Sequence, residues 1–81
     1  MYLEILTPEK KVFQGDVVLA TFPGADGSFQ IMDNHAPLIS LLKEGIVEYK
    51  SKEVHETITI TGGVVEVLAN KVILLADGIA A

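Results

Sequence analysis

Apolar residues in this 81-residue sequence never recur at helical spacing over a window of about ten residues. They come in short runs, each closed by Gly, Pro or a polar cluster, at spacings of about 8–12 residues. The clearest run is 54–61. There Thr57, Thr59 and Thr61 face one way and Ile58 and Ile60 the other, so a solvated row backs a core row. Further strands are expected over 2–6, from Val12 to Phe22 with an interruption at Gly15, and over 28–32, 38–42, 46–50, 64–68 and 72–76. Gly15 suggests a bulge or a close backbone approach. Val18, Ala20 and Phe22 alternate there against Val17, Leu19 and Thr21. The segment 72–76 is apolar on both faces, which means burial on both sides or a partner over one. A chain built this way is all-β, a sandwich or barrel.

The totals limit the rest. The length allows one small domain, 1–81, and the 49% hydrophobic content supplies a core. With no cysteine there is no disulfide and no thiolate metal site, which fits a reducing compartment. No apolar run reaches the roughly 18 residues that span a bilayer, and no basic-then-apolar leader is expected at the start. The net charge is −5, and all six basic residues are lysines. Without arginine the chain lacks the fork that reads phosphates and bases, so neither nucleic acid nor an anionic membrane is an expected partner.

The most unusual stretch runs from Phe22 to Leu38. Pro23-Gly24 and Asp26-Gly27 suit turns that need positive φ. Asp33 or Asn34 can close an Asx-turn, and Pro37 pushes Ala36 toward extended geometry. A specific contact surface is expected here. Gly24-Ala25-Asp26-Gly27 has glycines like a phosphate loop, yet no Gly-Lys-Ser/Thr ending and no helix follow it, so it reads as a turn between strands. Gly62-Gly63 reads as a backbone bend.

Catalytic candidates are scarce. His35 and His55 lack metal-ligand spacing and a third ligand. His55, beside Glu53 and Glu56 near a hairpin tip, reads as a surface histidine. His35 has no nucleophile or paired acid assignable near it. Glu44, Glu48, Glu53 and Glu56 read as solvated charges that discourage edge-to-edge pairing. No catalytic, cofactor-binding or metal-binding residue is expected, and the chain reads as a binding module. One form of that reading is a stand-alone β-sandwich for a peptide or sugar, which calls for an exposed aromatic cluster. The five aromatic residues, Tyr2, Phe13, Phe22, Phe29 and Tyr49, are scattered.

Several short pieces, in order, carry a resemblance. They are Val12-Phe13-Gln14-Gly15; Phe22-Pro23-Gly24 with Gly27-Ser28-Phe29; Ile31 with Asn34-His35-Ala36-Pro37-Leu38; Leu42 with Gly45; Gly62-Gly63 with Glu66-Val67; and the run from Val72 to Asp77. Over nearly its whole length the chain resembles the N-terminal β-sandwich domain of the epsilon subunit of F-type ATP synthases, called delta in mitochondria. The resemblance implies a ten-stranded sandwich of two five-stranded sheets. It implies a non-catalytic rotor part of the central stalk, on the cytoplasmic face of the bacterial cell membrane. There it would link the gamma shaft to the membrane proteolipid ring and so couple ion-driven rotation to ATP synthesis. Carried over by position, His35 and Ser40 face gamma, and Gly24, Ala25, Asp26, Gly27 and Ser28 reach the ring. Many family members have Gly in place of Gln30, Glu in place of Ser28, and Pro-Gly or Pro-Asn in place of Asp33-Asn34. Typical members continue into a helical hairpin that restrains ATP hydrolysis. This sequence stops at Ala81, so no such hairpin and no helix-based inhibition are expected of it. An isolated domain with an unpartnered face is expected to self-associate.

Overall fold

A computed structural model describes residues 1–80. Among them are nine strands and no helix: β1 (Tyr2–Leu6), β2 (Lys11–Asp16), β3 (Leu19–Gly24), β4 (Gly27–Met32), β5 (Leu38–Leu42), β6 (Gly45–Lys50), β7 (His55–Ile60), β8 (Gly63–Leu68) and β9 (Lys71–Ala76). Five of them form one layer in the order β2-β1-β9-β8-β5, and four form the facing layer in the order β4-β3-β6-β7. The layers meet edge to edge at one pair, Gly24 with Leu42, so a single sheet curls over its own core. Every pairing is antiparallel except β1 with β9. The sandwich and its all-β class are as expected, but the strand count is nine rather than ten. On the free edge of β7, the described residues add an isolated bridge between Ile60 and Ile79, with Ala80 N–H donating to Thr59 O at 2.8 Å.

The core follows from alternation. Leu3 and Ile5 on β1, Ala20 and Phe22 on β3, Val47 and Tyr49 on β6, Val65 and Val67 on β8, and Val72 and Leu74 on β9 all turn inward and are buried. No polar or charged side chain is buried with them among the described residues. An apolar interior packed like this resists deformation. Phe13 leans on Tyr49 with ring centroids 4.5 Å apart, and Phe22 on Phe29 at 5.8 Å, so two aromatic pairs add to the packing.

Four local expectations change. Pro23-Gly24 is not a turn: both residues belong to β3, paired with Ser28 and Gly27. Proline is tolerated there because β3 is losing one neighbour and gaining another. β6 pairs only with 19–21 and β5 only with Gly24, so no ladder bond is missing at the Pro23 nitrogen. The turn is the dipeptide Ala25-Asp26, and Gly27 takes positive φ (136°) as expected. Gly15 makes no bulge and pairs with Leu3 in register; the register shift lies between Ile5 and Leu6. What crowds Gly15 is a side chain rather than another backbone: a Cβ there would sit 3.3 Å from the Phe13 ring. A bend at Val17-Val18 breaks the predicted alternation, burying Val17 and leaving Val18 exposed ahead of β3. Finally, Asp33 closes no Asx-turn, because its carboxylate takes the amino group of Met1 at 2.6 Å.

Candidate functional site

Registered residues share a face of a sheet, so the outward face of the five-stranded layer can be read row by row. One row is Leu41-Val64-Leu75-Leu6, apolar throughout. The next is Ile39-Glu66-Ile73-Glu4, and beyond it come Leu68, Lys71 and Tyr2. Ile39 and Leu41 are 70% and 71% exposed, and Leu68 and Leu75 about half exposed. Large aliphatic side chains gathered on one strand-paired surface are unusual for a face that only meets water. The run 38–42 and the doubly apolar 72–76 carried the signal, since both put apolar residues on each side of their strands. Burial on both sides does not hold for 72–76: its outer side is open in this domain, with Leu75 49% exposed.

Two loops flank this face. At one end is the hairpin tip, where Ala25, Asp26, Gly27 and Ser28 are exposed and Gly24 is buried in β3. Ala25 N–H donates to Leu41 O at 2.9 Å, fixing the tip against β5. A shallow groove there runs between Ala25, Leu41, Val64, Leu75 and Pro8. At the other end is the β4–β5 loop with His35. The His35 ring is exposed, and its Nδ1 lies 2.8 Å from Ala36 O. Pro37 borders Ile39 and Leu68 on the apolar face. β5 therefore joins the two loops that the sequence singles out. Ser40 lies between them but on the inward side of β5, half buried, with its hydroxyl donating to Leu41 O at 3.2 Å. The side chains that β5 offers outward are Ile39 and Leu41, which the sequence reading did not name.

The four-stranded layer has a different outer surface. Ser28, Gln30, Thr57 and Thr59 lie on it, with His55 Nε2 and Glu48 Oε2 paired at 2.5 Å. Met32 and Ile46 are exposed on it, far apart in register. Among the described residues no group of three potential ligands converges as a metal site.

The family model for the "ATP synthase, Delta/Epsilon chain, beta-sandwich domain" matches residues 1–81. The chain belongs to the ATP synthase delta/epsilon family. It is 42% identical over 79 residues to the ATP synthase epsilon chain of Campylobacter concisus, covering 96% of this chain and 61% of that one. It is 46% identical over 77 residues to that of Nitratiruptor, covering 94% and 60%. With the epsilon chain of Chlorobium limicola it shares 45% over 78 residues, 95% of this chain and 89% of the relative. The sequence thus spans about three fifths of most of these epsilon chains. Among solved structures, the fold matches a chain in the central stalk/c-ring of Tetrahymena thermophila mitochondrial ATP synthase with TM-score 0.85. The identity is 21%, over 98% of this chain and 64% of that one. A chain of the Euglena gracilis mitochondrial enzyme matches with TM-score 0.89 and 18% identity, over 96% and 51%. At such identities these two matches speak for the fold alone.

Proposed function

We propose that this epsilon-type domain is a non-catalytic part of the ATP synthase central stalk. It seats the gamma shaft on the outward face of its five-stranded layer and rests its Ala25–Ser28 tip on the membrane proteolipid ring. In a bacterium it would lie at the cytoplasmic face of the cell membrane, peripheral to it. The observation that carries the reading is the outward apolar row Leu41-Val64-Leu75-Leu6 on one face of a family sandwich, with Leu41 and Leu75 exposed and Val64 and Leu6 half-buried. Covering it with a partner would remove its apolar area from water, worth roughly 25 cal/mol for each Å². His35 sits at one end of this face and the polar tip at the other, so one body can touch both partners. Asp26 at the tip suits basic or polar loops, where such pairing fixes register more than affinity. Rotation can then pass through a stiff sandwich with an all-apolar core.

The test is a calorimetric titration of the domain with gamma from the same organism. One-to-one binding is expected. Leu41→Asp should weaken it by at least about tenfold, since a charge would be desolvated in an apolar contact. Asp26→Asn, at the ring-facing tip, should leave gamma binding unchanged. Binding that ignores Leu41→Asp would remove gamma from this face.

A further inference from the structure

The turn from β8 to β9 consists of Ala69 and Asn70, both with positive φ, 52° and 60°. This is the geometry of a type I′ hairpin turn. Its second position is usually Gly, which takes positive φ without steric cost. Here an asparagine stands in that position, and its side chain reaches across the molecule. Its Oδ1 accepts the backbone N–H of Asn34 at 2.8 Å, from 36 residues earlier in the chain. Asn34 is itself held at positive φ, 62°. On either side of it, Asp33 takes the Met1 amino group at 2.6 Å, and His35 N–H donates to Met32 O at 3.2 Å. Three consecutive residues of an exposed loop are thus each fastened, and the one side-chain hold from the opposite hairpin is Asn70. The His35 ring projects from the residue next to that hold.

We propose that Asn70 is a positioning residue for the 33–37 loop: its amide oxygen pins Asn34 and so presents His35 already in its binding geometry. This rests on the reading of His35 as a gamma contact. A loop ordered beforehand loses less conformational freedom when the partner arrives. The inference also explains why an asparagine occupies a turn position that glycine fills more easily.

Two substitutions separate the side-chain hold from the turn itself. Asn70→Gly keeps the positive φ and removes the acceptor. Asn70→Asp keeps an acceptor oxygen and a residue that tolerates this φ. Backbone hydrogen exchange in the free domain and titration with gamma are the two readouts, the latter repeated in a His35→Ala background. Asn70→Gly should speed exchange at Asn34 while Val65 and Leu74 in the core stay protected. It should weaken gamma binding by about fivefold, the scale of one lost hydrogen bond. Asn70→Asp should restore both. In His35→Ala, adding Asn70→Gly should cost nothing further. Unchanged exchange at Asn34 in Asn70→Gly would overturn the proposal and leave the gamma reading standing. So would unchanged binding in Asn70→Gly where His35→Ala alone weakens it. If His35→Ala binds gamma as well as the parent, His35 is no gamma contact, and the proposal falls with that placement.

Discussion

Tyr49 shows how one buried side chain ties stability to solution conditions. Its ring lies against Phe13 in the core, and its hydroxyl titrates above the ordinary value of 10.0, first because burial disfavours the phenolate and second because Glu56 repels it. A folded-state pKa raised above the unfolded one gives stability that is complete below the unfolded value. It is lost as pH rises from about 10 through the folded pKa, because the unfolded chain gives up the proton first. Denaturant titrations at pH 8 and pH 11 should therefore show a fall in stability that Tyr49→Phe reduces. Equal falls in both proteins would mean that Tyr49 titrates alike folded and unfolded. Single residues also show what the sequence could and could not reveal. His55 reads from its acidic neighbours as a surface histidine, and it is one, paired with Glu48. Asn70 was unreadable, because its significance is a hydrogen bond to a residue 36 positions away.

At the scale of elements, Gly63 is the tightest point of the sandwich. It has φ 156°, and a Cβ there would lie 2.3 Å from the Leu75 carbonyl oxygen on β9. The oxygen is backbone, so relief requires parting β8 from β9. Gly63→Ala should cost about 2–4 kcal/mol in chemical denaturation, a large share of the roughly 4–12 kcal/mol usual for a domain this size. A cost under about 0.5 kcal/mol would show that the strands yield easily. The strands themselves were legible, because period-2 alternation and turn residues are local signals; Tyr2–Leu6 and Leu38–Leu42 match to the residue. The misreadings share a cause. Pro23, Gly24 and Gly15 break strands by local preference, yet here the arrangement of neighbouring strands decides. Pro23 falls where β3 changes partners, and Gly15 lies under the Phe13 ring. The bridge from Ile79 to the edge of β7 is a pairing that no local pattern could foretell.

At the scale of the whole molecule, the two outer surfaces differ in kind. One layer is polar with scattered aliphatics; the other carries a continuous apolar row on a face that has a loop at each end. The candidate surface was half legible. The sequence pointed to both loops and to a strand apolar on each face, but only pairing of β5, β8 and β9 assembles those side chains into one surface. An isolated domain should cover that row with a second copy as concentration rises. Sedimentation equilibrium should show association that Leu41→Glu abolishes. Association untouched by this change would place the self-contact elsewhere.

Because the chain has no cysteine, a single introduced thiol reports on one place alone. The most direct test of the account is maleimide labelling of Leu41→Cys and Met32→Cys, each free and in complex with gamma. Both positions are exposed, one on each layer. Both thiols should label readily in the free domain, and gamma should protect the one at 41 while the one at 32 stays reactive. A complex in which 41 remains reactive and 32 becomes protected would contradict this and put the shaft on the polar layer.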